Sequence, residues 1–257
     1  MIGVIGGTGL SDPALLGAAV QQGEQQSVQT PFAEQPVEVF ILSWNGAGAG
    51  ADVAFLPRHG RGHKVPPHRI NYRANLWALH KLGVREVVGV NAVGGIHPET
   101  GPGRIAIPRQ IIDYSWGREH TFFDGATRTT DATPGFAAIG HIDFTEPYSE
   151  ALRQRLIRYA APLPVWADGV YGCTQGPRLE SAAEVARLRR DGCDMVGMTG
   201  MPEAALAREL EMEYACIALS VNWAAGLSDE LITMESIGRV LEGGMAAVLG
   251  ILQRVCR

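Results

Sequence analysis

The apolar residues of this chain fall into short blocks separated by glycine, proline and polar residues, and two periods recur. Residues 214–221 (Tyr-Ala-Cys-Ile-Ala-Leu-Ser-Val) are almost wholly apolar and form a short block, which predicts a central strand covered on both faces. That strand is expected to stop at Asn222, with Trp223-Ala224-Ala225-Gly226-Leu227-Ser228 as loop. Residues 2–5, 37–43, 52–57, 86–90, 165–173 and 194–197 predict further strands, and 104–114 is strand-rich. A glycine- and alanine-rich turn, 46–50, separates the second and third of these. Helical spacing appears over 69–82, where Ile70, Ala74, Trp77 and Ala78 share a face and Gly83 ends the run. Residues 150–160 predict another helix. Ser181 and Glu184 frame a capping box for a helix over 182–190, and Pro202 suits the first position of the next. Thr233 caps the last helix, whose stripe is Ile237, Val240, Leu241, Met245, Val248, Leu249 and Leu252. Residues 115–147 are polar and aromatic with no strong period, a kind of segment that in a compact domain serves function or an interface. No repeat or linker divides the chain. The pattern predicts one α/β domain over residues 1–257, with a mixed central β-sheet flanked by helices.

Composition narrows the classes. Hydrophobic residues make up 46% and charged residues 19%, as expected of a well-buried globule. The net charge of -5 gives no reason to expect nucleic acid or an anionic membrane surface as a partner. Cys173, Cys193, Cys216 and Cys256 show neither a CxxC nor a metal-like spacing, and read as buried reduced thiols of a cytoplasmic protein. Residues 1–9 are apolar but strand-length with no basic residue ahead of them, so neither a signal peptide nor a membrane span is expected.

The chemistry gathers at strand ends, where open α/β sheets place ligands. Gly6-Gly7-Thr8-Gly9 follows the first strand, and such a loop lets backbone N–H groups approach an anion. A dinucleotide fingerprint fails here, because Asp12 stands where the last glycine belongs, and the P-loop lysine is absent. Arg58-His59-Gly60 ends another strand. An arginine fork there suits phosphate, and a surface arginine is the alternative. His59, His63 and His68 invite zinc, but Gly60, Gly62, Pro66 and Pro67 prevent the helix that would align them, and no metal is expected. Asn91-Ala92-Val93-Gly94-Gly95 is a further strand end of small residues. Thr199 adds a hydroxyl near a helix start. Glu180 sits just before a helix on a loop that Gly176-Pro177 constrains; a solvated first-turn acid is the alternative. Asn222 offers a donor and an acceptor that match two neighbouring atoms of a heterocycle, or it caps a turn.

In chain order, Ile5-Gly6-Gly7-Thr8-Gly9-Leu10, Arg58-His59-Gly60, Asn71-Tyr72-Arg73-Ala74-Asn75, Gly176-Pro177-Arg178, and Met198-Thr199 with Pro202-Glu203 resemble the purine nucleoside phosphorylase family in its methylthioadenosine phosphorylase branch. The resemblance covers nearly the whole chain. It implies a nucleoside phosphorylase-like fold, a homotrimer, and inorganic phosphate as co-substrate with no other cofactor. Thr8, Arg58, His59, Asn91, Ala92 and Thr199 are then expected at the phosphate, and Met198 beneath the ribose. Three positions depart from the branch. Glu180 stands where adenine-specific members carry serine, and Asn222 and Ala224, with Trp223 between them, stand where they carry two aspartates. Glutamate and asparagine resemble the 6-oxopurine phosphorylases instead. A carboxylate at Glu180 accepts from the N1–H of a 6-oxopurine and repels the bare N1 of adenine. The Asn222 amide donates to O6 and accepts from N7–H.

At the 5′ end, Ile237 and Val240, with Met234 nearby, make an apolar contact, and His141 resembles the segment that a neighbouring subunit lends to that pocket. The expected reaction is phosphorolysis of S-methyl-5′-thioinosine to hypoxanthine and 5-methylthioribose 1-phosphate, with Asn222 as the catalytic amide. Phosphorolysis of inosine or guanosine, or of methylthioadenosine, is the alternative within the fold. A non-catalytic purine nucleoside sensor is the alternative from another class.

Overall fold

The computed structural model of the chain describes residues 1–16, 20–44, 52–123 and 140–256. Its strands are β1 (Ile2–Gly6), β2 (Val20–Val28), β3 (Val37–Trp44), β4 (Asp52–Pro57), β5 (Glu86–Gly95), β6 (Ile105–Ala106), β7 (Gln110–Asp113), β8 (Val165–Trp166), β9 (Val170–Cys173), β10 (Met195–Gly197) and β11 (Glu213–Trp223), and they join in one mixed sheet. The helices are α1 (Tyr72–Lys81), α2 (Glu150–Ala160), α3 (Ala182–Arg190), α4 (Glu203–Glu209) and α5 (Met234–Val255).

β11 is covered on both faces, as its apolar run requires. Tyr214, Cys216 and Ala218 pack into one core with α1 and α4, while Ala215, Ile217, Leu219 and Val221 pack into another with α2 and α5. The side-chain period of two sends neighbours to opposite faces, so a strand between two helical layers must be apolar at almost every position. β5 behaves alike, with Val87 and Val93 on the first side and Val88 and Val90 on the second. The caps read from sequence are present. Ser181 and Glu184 form the reciprocal box on α3, and the Thr233 hydroxyl accepts from the backbone N–H of Ser236 on α5.

The pairing around β5 opens the cleft. β11 lies along one edge of β5 from Glu86 to Gly95. On the other edge, β1 pairs in parallel with Glu86 to Gly89 only, and β10 pairs antiparallel with Gly94 and Gly95. Residues 90–93 of that edge have neither partner, because the chain leaves β1 at Gly6 and turns through Gly7, Thr8 and Gly9. At the same level, the register of β11 against β5 shifts between Ser220 and Asn222. A bulge of this kind re-aims the side chain that follows it.

Several boundaries differ from the sequence reading. The central strand runs past the bulge to Trp223, so Asn222 lies within it and not beyond its end. β5 continues to Gly95, held by β10 and β11 on its two edges. The expected strand 165–173 divides at Asp168-Gly169, and 104–114 divides at Pro108. α1 starts at Tyr72 because the Asn71 side chain accepts from the N–H of Ala74. β2 has no hydrophobic alternation (Val-Gln-Gln-Gly-Glu-Gln-Gln-Ser-Val) and gives no periodic signal; among the described residues it is an edge strand paired with β3 alone. Its polar ties run to Glu38, which accepts from Gln25 (2.5 Å) and Ser27 (2.7 Å). The expected 46–50 turn lies outside the described residues, and 115–123 and 140–147 are irregular. All four cysteines are free and buried. Among the described residues, no helix is long and apolar enough to cross a membrane.

Candidate active site

A cavity of about 530 Å³ opens where β1 and β10 part from β5. Strand ends and the segments after them supply its walls: Gly7 and Thr8 after β1, Arg58 and His59 after β4, Ala92 to Gly94 from β5, Met198 and Thr199 after β10, and Asn222 from β11. Gly7 is needed for this close approach, since a Cβ there would sit 2.5 Å from the Val90 carbonyl oxygen.

One end of the cavity rests on a buried charge network. The Arg58 residue is 3% exposed. One Nη donates to Asn91 Oδ1 and to the Thr199 hydroxyl (2.8 Å). The other donates to the Ile5 carbonyl (3.1 Å) and pairs with Glu203 Oε1 at 3.1 Å. Nε has no acceptor among the described residues. Glu203 is buried at the start of α4 and also lies 3.4 Å from the Tyr214 hydroxyl, whose space Gly89 leaves: a Cβ on Gly89 would sit 2.3 Å from it. Burial pushes the Glu203 carboxyl up, and Arg58 and Tyr214 pull it back. His59 Nδ1 lies 2.8 Å from the Val65 carbonyl, so Nδ1 carries the hydrogen and Nε2 is left as an acceptor. Burial lowers the His59 pKa to about 4, with the Val65 bond opposing and Arg58 and His63 adding to the fall; the ring is neutral at pH 7.

The other end is less constrained. Glu180 Oε1 accepts from the Thr174 hydroxyl at 2.5 Å, and no hydrogen bond to Oε2 is present among the described residues. The Asn222 amide nitrogen donates to the adjacent Trp223 carbonyl at 2.7 Å, a bond it can exchange for a ligand by rotating its own side chain. Ala224 is buried beside it. Val221, Ile232, Met234 and Ile237 form an apolar corner, and Met234 is 75% exposed.

Residues 1–257 match the sequence profile of the Phosphorylase superfamily. The chain belongs to this superfamily. A relative in Pseudomonas syringae pv. tomato, a probable S-methyl-5′-thioinosine phosphorylase, is 51% identical over 98% of this chain and 96% of its own. The 6-oxopurine nucleoside phosphorylase of Pyrococcus furiosus is 43% identical over 94% of this chain and 86% of its own. Among solved structures, methylthioadenosine phosphorylase from Schistosoma mansoni in complex with adenine superposes with a TM-score of 0.88 at 30% identity, covering 99% of this chain and 90% of that one. The nucleoside phosphorylase-like fold expected from the sequence is therefore present, and the chain is an enzyme of the pentosyltransferase type.

Within this phosphorylase, Thr8, Arg58, His59, Ala92, Met198, Thr199, Glu180, Asn222, Ala224 and Ile237 all line one cavity, as their expected roles require. Three expected residues do not. Asn91 is buried behind the wall, holding Arg58 and lying 3.4 Å from the Tyr171 hydroxyl. The Trp223 indole packs over Gly101, because alternation in β11 turns it to the opposite face from Asn222. His141 is exposed and does not line the cavity of its own chain. The Arg58 fork also differs from expectation, since protein acceptors take both of its Nη groups. Sequence reading gave Glu203 no role in the site. The available signal was an acid set among apolar residues, Met201-Pro202-Glu203-Ala204-Ala205-Leu206. His63, weighed from sequence only as a zinc ligand, also lines the cavity, as do Val65 and Ile232, which gave no sequence signal beyond their neighbours.

Proposed function

We propose that this phosphorylase cleaves S-methyl-5′-thioinosine with inorganic phosphate, giving hypoxanthine and 5-methylthioribose 1-phosphate. The observation that carries the reading is one cavity that combines Glu180 and Asn222 with Ala224, and an apolar corner of Val221, Ile232, Met234 and Ile237. Glu180 Oε2 accepts from purine N1–H. Asn222 releases the Trp223 carbonyl, donates to O6, and accepts from N7–H once N7 takes up a proton from solvent as the glycosidic bond breaks. As the glycosidic bond breaks through an oxocarbenium-like state, negative charge grows on the purine, and the amide dipole is aimed where it develops. Phosphate attacks C1′ from the side of Thr8, Ala92 and Thr199. Arg58 supplies positive potential there, and neutral His59 accepts at Nε2 from a phosphate O–H. No covalent intermediate or further cofactor enters. The thiomethyl group lies against the apolar corner, with Met198 beneath the ribose.

The reading extends to a cytoplasmic homotrimer in which His141 of one subunit closes the exposed 5′ corner of another. Phosphorolysis of a 6-oxopurine nucleoside with a 5′-hydroxyl is the second reading, and the name of the Pyrococcus relative favours it. The test is a panel of methylthioinosine, methylthioadenosine, inosine and adenosine, each with and without phosphate. The expected result is phosphate-dependent purine release with the highest kcat/KM on methylthioinosine. Release without phosphate, or a preference for methylthioadenosine, overturns the reading. Equal efficiency on inosine transfers it to the second.

A further inference from the structure

Arg118, in the irregular segment after β7, is a buried cation that does not line the cavity. An arginine has five N–H donors, and here each has an acceptor. Nε donates to Gln175 Oε1 at 3.1 Å. One Nη donates to the Tyr72 hydroxyl (3.3 Å) and to the Met201 carbonyl. The other donates to the carbonyls of Thr174 (3.1 Å) and Gln175 (2.9 Å). Its ring partner is Tyr72, with the guanidinium carbon 5.6 Å from the centroid. No carboxylate pairs with it among the described residues, so the charge is balanced there by carbonyl dipoles, the Tyr72 hydroxyl and the ring face. A buried charge is costly unless its bonds are complete, so the acceptors are held where the guanidinium requires them.

Three of those acceptors belong to Thr174 and Gln175, which open the segment that carries Glu180. Thr174 is fixed at its N–H by the Gly197 carbonyl (2.8 Å) and at its carbonyl by Arg118. Its hydroxyl then donates to Glu180 Oε1, which commits that oxygen and leaves Oε2 for the ligand. We infer that Arg118, acting through Thr174, is a positioning residue for discrimination between 6-oxo and 6-amino purines. The inference rests on the proposed role of Glu180 at purine N1. Without the Thr174 hydroxyl the carboxylate is free to turn, and misplacement of an acceptor by about 1 Å costs up to about 100-fold. Arg118 touches neither phosphate nor ribose contacts in the cavity, and Thr199 is held separately by Arg58.

The experiment measures kcat/KM for methylthioinosine and methylthioadenosine, and KM for phosphate, in wild type, Glu180→Gln, Thr174→Val, Thr174→Ser, Arg118→Lys and the Thr174→Val/Arg118→Lys pair. The expected result is a fall of about 10–100-fold in the 6-oxo to 6-amino ratio for Thr174→Val and Arg118→Lys. Thr174→Ser, which keeps the hydroxyl, holds the wild-type ratio; the pair falls no further than Thr174→Val; phosphate KM is unchanged throughout. Thr174→Val preserves shape and leaves the buried guanidinium satisfied, so it reports on the relay even where Arg118→Lys folds poorly. If Glu180→Gln moves the ratio and the other variants do not, this inference alone falls. If Glu180→Gln leaves the ratio flat, the base reading falls and takes the inference with it. Equal losses on both nucleosides with a raised phosphate KM would mark Arg118 as a support of the fold only, which also overturns it.

Discussion

The two ends of the catalytic cavity are built by opposite means. At the proposed phosphate end, Arg58, Asn91, Thr199 and Glu203 are buried and bonded to one another across separate strand ends. At the proposed purine and 5′ end, among the described residues the Asn222 side chain bonds only to its neighbour's carbonyl and the Glu180 carboxylate to one hydroxyl, and Met234 stands in solvent. The first arrangement couples binding to stability, because a buried charge cannot lose its partner cheaply. The second lets the base and 5′ contacts change without disturbing the core. This division accounts for one fold serving relatives named for different purine nucleosides.

The largest expected effect tests that coupling. Arg58→Ala should cost about 3–5 kcal/mol of stability, because Glu203 is left buried and unpaired. It should also raise KM for phosphate. Urea unfolding and phosphate titration measure the two losses. Arg58→Met with Glu203→Leu should recover most of the stability and none of the phosphate affinity. A stable Arg58→Ala enzyme with ordinary phosphate dependence would abolish the contrast between the two ends.

At the purine end the effect should be chemical and leave stability nearly intact. Asn222→Asp is expected to add about 3–4 kcal/mol to the barrier for methylthioinosine, since the donor to O6 is lost and an ionised aspartate repels it. The loss should shrink at low pH, where a protonated aspartic acid donates again. Unfolding free energy should move by less than about 0.5 kcal/mol. Glu180→Ser, Asn222→Asp and Ala224→Asp together should shift the kcat/KM ratio toward methylthioadenosine. The rate should stay low, because Ala224 is buried and an aspartate there needs a partner.

A smaller effect is expected at the apolar corner. Ile237→Ser should reduce the preference for a 5′-methylthio over a 5′-hydroxyl group by roughly 1–3 kcal/mol, read as the ratio of kcat/KM for methylthioinosine and inosine. An unchanged ratio would move the 5′ contact elsewhere.

The last concerns pH. His59 is held neutral, with its pKa lowered from 6.5 to about 4 by burial. Between those values the unfolded chain binds more protons than the folded one. The His59 contribution is therefore complete above 6.5 and is lost as pH falls toward about 4. Urea unfolding across that window should show stability falling with acid, with a shallower slope in His59→Asn. An identical slope in the variant would assign the acid sensitivity to other groups.

Much of this protein was legible from local pattern. Continuous apolar runs identify β5 and β11 as buried strands, because a strand between helical layers has no polar face. Ser181 with Glu184, Thr233 and the spacing of Ile237, Leu241, Met245 and Val248 mark α3 and α5, because caps and amphipathic faces lie within a few residues of one another. The small-residue strand ends likewise name Thr8, Arg58, Ala92, Thr199 and Asn222 as chemistry in search of a common cleft. Only tertiary structure decided that the cleft lies where β1 leaves β5 before β10 joins it, and that a bulge turns Asn222 into it and Trp223 away. It also decided that the Arg58 fork is spent on Thr199, 141 residues away, and on Glu203, and that β2 exists at all. Each of these depends on pairing between segments distant in the chain. Local sequence encodes how a segment would bury its own side chains, and says nothing of which remote group will satisfy a buried charge or an edge strand's hydrogen bonds.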